Sequence, residues 1–236
     1  MKVQWSILKP FKGFTIGLLA LCYCAEPDQT KTSQILSTIE IADGFKLELV
    51  AMEPLISDPV AMEIDENGDT YVVEMHGYPL NTAGAGVVKK LFDDDGDGRF
   101  DRSEVFYDQL VLPTGIMRWK EGVIVTDPPD LIYLEDGDGD GRAEISEVLV
   151  TGFALSNPQH NFNSPIYGLD NWVYLANEGT YESQFFGDLF NDEGSEIHFP
   201  DKPNAARLPK NADDLNLKVD LRNYRLQMLS LSLIHI

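Results

Sequence analysis

The stretch Asp136-Gly137-Asp138-Gly139-Asp140-Gly141-Arg142-Ala143-Glu144-Ile145-Ser146-Glu147 decides how the chain is read, because its pattern occurs twice. The other copy, Asp93-Asp94-Asp95-Gly96-Asp97-Gly98-Arg99-Phe100-Asp101-Arg102-Ser103-Glu104, begins 43 residues earlier. Both fit a twelve-position calcium loop, with carboxylates at positions 1, 3 and 5, glycine at 6, an acid at 9 and glutamate at 12. A hard cation takes six to eight oxygens, and this spacing supplies them. The expected ligands are Asp93, Asp95, Asp97, the Arg99 carbonyl, Asp101 and Glu104 in one loop. In the other they are Asp136, Asp138, Asp140, the Arg142 carbonyl, Glu144 and Glu147. The plain alternative is a pair of acidic, solvated turns.

The flanks decide between two architectures. A helical calcium sensor of the EF-hand kind needs a helix on each side of the loop. Gly84 and Gly86 leave only a short run before the first loop, and Pro128-Pro129 only a short run before the second. Val148-Leu149-Val150-Thr151 after the second loop favours strand, and Gly152 ends it. Runs this short do not sustain helices, so the loops are expected to join strands.

Outward from the loops, one pattern repeats. Strand-like runs at 59–65 and 70–75 flank the turn Glu66-Asn67-Gly68-Asp69. Similar pairs flank Glu121-Gly122 and Asn171, and the turns fall 54 and 49 residues apart. A period of 40–50 residues with four short strands marks propeller blades. The expected strands are 59–65, 70–75, 87–92 and 102–107 in the first unit and 115–120, 123–127, 130–135 and 143–150 in the second. The third unit shows its first two strands; Gln184 to Lys210 reads as a polar insertion, and Leu217–Leu221 as a return to the blade. Phe45–Val50 alternates apolar and polar residues and reads as a further strand. The fold expected is all-β: a partial β-propeller of about two and a half blades, with calcium loops between strands.

Residues 1–24 read as an export signal: Lys2, Lys9 and Lys12 precede a short apolar run from Phe14 to Tyr23. The location implied is periplasmic or cell-envelope. The chain has two cysteines, Cys22 and Cys24, both at the end of this signal. That removes a structural disulfide, a cysteine metal site and a C-x-x-C-H haem site from the mature domain, and leaves Cys24 or Cys22 as a candidate lipid anchor to a membrane. Residues 25–41 read as a linker, 42–227 as the incomplete propeller, and 228–236 as a non-native tail on a truncated chain. The formal charge is −21, and the two loops hold eleven of the 39 acidic residues. So acidic a surface argues against nucleic acid as a partner.

Several separate motifs carry a family resemblance: Phe45-Lys46-Leu47-Glu48-Leu49-Val50, Asp58-Pro59-Val60-Ala61-Met62, Tyr71-Val72-Val73-Glu74-Met75 with Gly77-Tyr78-Pro79, the two acidic loops, Pro113-Thr114-Gly115, and Gly168-Leu169-Asp170-Asn171-Trp172. Over about residues 42–225 the chain resembles the membrane-bound dehydrogenase family, exported β-propellers related to the soluble quinoprotein glucose/sorbosone dehydrogenases. The resemblance implies a six-bladed propeller of which this chain holds an N-terminal fragment, inactive alone. It implies an oxidoreductase acting on a sugar or alcohol with pyrroloquinoline quinone (PQQ), and a cytochrome c or quinone as electron acceptor. Haem c enters only if a missing C-terminal region supplies it.

His160, in Asn157-Pro158-Gln159-His160-Asn161-Phe162-Asn163, is the catalytic candidate. In the related sugar dehydrogenases a histidine in the matching pre-strand loop takes the proton of the substrate hydroxyl, and imidazole suits that task near neutral pH. Asn157, Gln159 and Asn161 are candidate cofactor- or substrate-binding residues, as is His76 at the end of the first unit's second strand. The plain alternative is that these side chains satisfy loop backbone groups. The rival function is a non-catalytic propeller that binds a carbohydrate or a protein. Trp119, Trp172, Tyr71, Tyr133 and Tyr174 fall within strands and are expected to pack blades together.

Overall fold

The computed structural model describes residues 34, 36–177, 180 and 187–229. The expected leader, with Cys22 and Cys24, and residues 230–236 of the expected tail lie outside the described residues. The chain divides into two units, Met1–Leu47 and Glu48–Ile236. The described part of the first holds two turns, in which Ile39 N–H donates to the Leu36 carbonyl and Phe45 N–H to the Ala42 carbonyl, both at 3.2 Å.

The named strands all belong to the second unit. β1 (Pro59–Ile64), β2 (Thr70–Glu74), β3 (Gly86–Phe92) and β4 (Arg102–Leu110) form one antiparallel sheet in chain order. β5 (Gly115–Trp119), β6 (Gly122–Asp127), β7 (Asp130–Glu135) and β8 (Ile145–Thr151) form a second sheet in the same order. The third contains β9 (Asn163–Tyr167), β10 (Val173–Ala176), β13 (Leu217–Asp220) and β14 (Arg225–Met228), again from first strand to last. The first strands of successive sheets lie against one another, β1 beside β5 and β5 beside β9. This is a partial, propeller-like all-β fold with the first strands innermost.

Each acidic loop joins the third and fourth strands of its sheet, β3 to β4 and β7 to β8. Strands rather than helices flank both loops, so the helical sensor is excluded. The third unit is more complete than its sequence shows. β13 and β14 finish a four-stranded sheet, and β14 reaches Met228, one residue into the expected tail. Between β10 and β13 lie a one-turn helix, α1 (Gly187–Phe190), and a two-stranded ribbon, β11 (Glu196–Ile197) with β12 (Leu208–Lys210). The polar composition of this insertion hides its role: Phe190, Ile197, Phe199 and Leu208 are buried.

Phe45–Val50 is not a strand. Alternation makes a strand only where a neighbour completes the backbone ladder. Here Phe45, Leu47 and Val50 are exposed, and the Val50 carbonyl accepts from Phe100 N–H in an acidic loop at 2.9 Å.

Burial follows position among the blades. Every residue of β2 and of β6 is buried, because a second strand is covered on both faces. Tyr71, Val73, Val88, Phe106 and Leu110 of the first sheet meet Ile116, Val123, Val125 and Leu134 of the second. Met117, Trp119, Ile124, Leu131 and Tyr133 of the second meet Val173, Leu175, Leu217 and Val219 of the third. Each large apolar side chain so buried contributes about 1.5–3 kcal/mol, which makes the inter-blade seams the main stabilising element. Tyr71, Trp119 and Tyr133 serve these seams, as expected from their strand positions, whereas Trp172 lies just before β10 and both it and Tyr174 are half-buried under Lys218 rather than in a seam.

Candidate functional site

The antiparallel order brings the start of each first strand and the end of each second strand to one side of the fold. That side gathers the chain before β1, the segment after β2, the turns around β5 and β6, and the loop 152–162 before β9. A cavity of about 370 Å³ opens there, lined by Asp58, Pro59, Val60, Met75, Tyr78 and Pro158.

Loop 152–162 is held from several directions. Ala154 N–H donates to Asn211 Oδ1 at 3.1 Å and Leu155 N–H to Asp192 Oδ2 at 3.0 Å. Phe153 stacks on Phe162 with ring centroids 3.6 Å apart. Thr114 Oγ1 donates to the Phe162 carbonyl at 2.6 Å, tying the loop to the start of β5. The insertion between β10 and β13 therefore acts as a brace for this loop.

The tip of the loop is a turn in which His160 N–H donates to the Asn157 carbonyl at 2.8 Å. Asn157 Oδ1 accepts from Gln159 N–H at 2.9 Å, so Asn157 shapes the turn. Gln159 Nε2 donates to the Tyr78 hydroxyl at 2.7 Å, bridging this loop to the segment after β2. Pro158 of the same turn lines the cavity. Asn161 is 2% exposed, and neither polar atom of its side chain has a hydrogen-bond partner. A buried carboxamide without a partner is costly, and Asn161 does not line the cavity, so this position is suited to a buried water.

Across the cavity, His76 is bonded at both ring nitrogens. Nδ1 lies 3.3 Å from Asp58 Oδ2 and Nε2 lies 2.8 Å from Glu74 Oε2. Residues 75–81 are fixed by Gly77, where any Cβ would collide with the Asn81 carbonyl. The structure thus brings the His160 turn and the His76 segment to one cavity. Sequence reading missed Asp58, Glu74 and Tyr78. The signals were present: an aspartate before the proline that opens β1, and a Glu-x-His alternation at the end of β2.

Asp127, at the end of β6, also belongs to this side. It accepts from Val111 N–H and Leu112 N–H, each at 2.8 Å, and orders the turn into β5. Burial pushes its carboxyl up to about 6; the two backbone N–H groups oppose that rise and the Asp130 charge adds to it.

The acidic loops lie on the outer strands, away from the strand mouths. Asp93 accepts from the N–H groups of Gly96, Asp97 and Gly98, and Asp136 from those of Gly139, Asp140 and Gly141. Asp97 accepts from Arg99 N–H and Asp140 from Arg142 N–H. Gly98 and Gly141 adopt φ of 88° and 91°, which residues with a Cβ rarely reach. Carboxylate oxygens of Asp93, Asp95 and Asp101 lie within 4.8 Å of one another, as do those of Asp136, Asp138 and Glu144. An all-oxygen set of this kind fits a hard cation.

The glutamates at position 12 are placed in strands. Glu147 lies opposite Tyr133 on β7, and Glu104 lies opposite Lys90 on β3. Glu104 contacts Arg102 and reaches toward the second loop, its Oε2 standing 3.4 Å from where a Cβ on Gly141 would be. The converging acids are therefore positions 1, 3 and 9.

The family model described as Domain of unknown function (DUF7133) matches residues 31–203. Two solved structures resemble the chain. One is described as the iodide structure of Trichoderma reesei Carbohydrate-Active Enzymes Family AA12, with TM-score 0.47 and 15% identity, covering 66% of this chain and 38% of that one. The other, described as the calcium structure of the same family, has TM-score 0.45 and 15% identity, covering 78% and 43%. The chain spans well under half the length of these two proteins. No curated protein sequence matches it.

Proposed function

The chain belongs to the DUF7133 family, and from that premise and the site geometry we propose that it is the calcium-braced propeller portion of an exported, quinone-dependent oxidoreductase for a sugar or alcohol. The observation that carries the proposal is the meeting of the His160 turn with the Tyr78 segment at one cavity, on the side where the innermost strands begin.

In this reading His160 takes the proton of the substrate hydroxyl. Gln159, held by Tyr78, orients the turn, and Asn157 shapes it. Asn161, buried directly after His160, supports the turn from behind. PQQ, when bound, would supply the hydride acceptor. Calcium is structural here: the two oxygen sets lie on the outer strands, where an ion would clamp a strand pair rather than touch substrate. The reading includes a periplasmic or cell-envelope location, with Cys24 or Cys22 as the lipid anchor, and a cytochrome c or quinone as electron acceptor.

The test is dye reduction by the full-length protein with D-glucose or ethanol, in the presence of PQQ and calcium. The expected result is turnover that His160→Ala abolishes. A protein that binds glucose yet reduces no dye would refute the oxidoreductase and leave the carbohydrate-binding propeller.

A further inference from the structure

The cavity wall carries a second assembly, centred on Glu74. This residue closes β2 with its side chain 0% exposed. A carboxylate so buried persists only when several donors hold it. Ser57 N–H donates to Oε1 at 2.8 Å, Lys89 Nζ stands 3.0 Å from the same oxygen, and His76 Nε2 lies 2.8 Å from Oε2. The Glu74 carboxylate accepts from the ring and orients it between the two acids. The other nitrogen, Nδ1, then faces Asp58 Oδ2 at 3.3 Å.

Asp58 lines the cavity. Its backbone has φ 48° directly before Pro59, a left-handed conformation that a non-glycine residue seldom adopts and that proline restricts further. Such strain persists where the surroundings over-determine it. Here the Met75 N–H, which donates to the Asp58 carbonyl at 3.1 Å, holds the backbone, while the side chain is 71% exposed toward the cavity mouth with His76 Nδ1 3.3 Å from its Oδ2.

We infer that Asp58 is the anchoring carboxylate for a hydroxyl-bearing ligand, a sugar or polyol, with His76 and Glu74 as positioning residues behind it; the inference rests on reading this cavity as a sugar or alcohol site. The lining favours a polyol over a bare cation, which takes six to eight oxygens that the side chains of Pro59, Val60, Met75 and Pro158 do not offer. A carboxylate can accept from two adjacent hydroxyls. Pro59, Val60, Met75, Pro158 and the Tyr78 ring offer apolar surface for the C–H faces of a sugar ring.

Calorimetric titration of the full chain with D-glucose tests this. Glucose binds, and Asp58→Asn weakens it by about tenfold or more, the scale of a hydrogen bond to a charged group. Asparagine tolerates the left-handed turn, so this variant removes charge and keeps shape; an unchanged unfolding temperature verifies that. His76→Asn weakens binding in the wild-type background and adds nothing in Asp58→Asn, because it acts through Asp58. A merely structural His76 would cost the same in both backgrounds. Absence of glucose binding by the wild type, an unchanged affinity in Asp58→Asn, or additive losses would overturn the inference. If Asp58→Asn loses glucose while the quinone-supplied protein oxidises none, the anchor stands and the oxidoreductase falls. If oxidation continues in Asp58→Asn with unchanged KM, the anchor falls and the oxidoreductase stands.

Discussion

In the two acidic loops, the side-chain bonds that shape each turn join residues two to seven apart. At the strand mouths, the bonds that join one segment to another reach across 15 residues between Asp127 and Leu112 and as many as 81 between Gln159 and Tyr78. The loops are local devices that can be duplicated along a chain with their geometry intact, and the second copy repeats the hydrogen bonding of the first almost atom for atom. The cavity has no such independence. It exists only when three sheets and an insertion are in place, so a change in one segment is felt in the others.

The comparison can be broken most readily at Glu74. Removing the buried carboxylate leaves Lys89 only the Leu55 carbonyl and breaks the bond to His76 Nε2, and Glu74→Ala should cost about 3–5 kcal/mol of stability. Denaturant unfolding checks this, and a loss well below 1 kcal/mol would mean that the assembly is not held as described. The acidic loops should retain their response to calcium in this variant, provided the domain still folds.

Asp127 carries the next effect, through pH. Its folded carboxyl is raised from 3.8 to about 6, so the folded state holds its proton more tightly than the unfolded one. The protonated form favours folding; stability therefore falls as pH rises from about 4 to about 6, by about 3 kcal/mol in all. Asp127→Asn removes that slope. Unfolding temperatures of wild type and variant, compared at pH 4 and pH 7, decide the matter; parallel curves would count against it. Asp220 runs the other way. Burial raises its carboxyl, but bonds from Asn223, Arg225 and the Arg222 and Asn223 N–H groups outweigh that and lower it to about 2. Its contribution is present above pH 4 and lost as pH falls toward 2.

Calcium tests the local side. An ion at a hundred times its dissociation constant stabilises the folded state by about 2.7 kcal/mol, read as a rise in unfolding temperature over a chelated sample. Asp95→Ala or Asp138→Ala should remove part of that rise. Equal unfolding temperatures with excess calcium and with chelator would refute the structural ions. The smallest effect belongs to Arg102, whose exposed contacts with Asp94 and Glu104 are of the kind that contribute little. Arg102→Ala should unfold with the wild type, and a clear loss would mean the loop depends on charge balance more than on its own backbone bonds.

The sequence by itself determined the strands of the first two sheets, the acidic turns between their third and fourth strands, and the order of the blades. Those features follow from short-range rules: alternation, glycine where φ is positive, and aspartates spaced to cap their own turn. It also placed His160 and Gln159 before a first strand. Only the tertiary structure decided which residues meet. Phe45–Val50 has the alternation of a strand and finds no ladder. The insertion has the composition of a loose loop, yet Asn211 and Asp192 within it hold the His160 loop. Glu104 and Glu147 satisfy a twelve-residue pattern, yet the pleat of β4 and β8 governs where they point. Asp58, Glu74 and His76 are ordinary residues until β1 and β2 lie side by side. Local spacing sets a turn because its partners are a few bonds away; a cavity is set by chain segments whose distance apart no local pattern records.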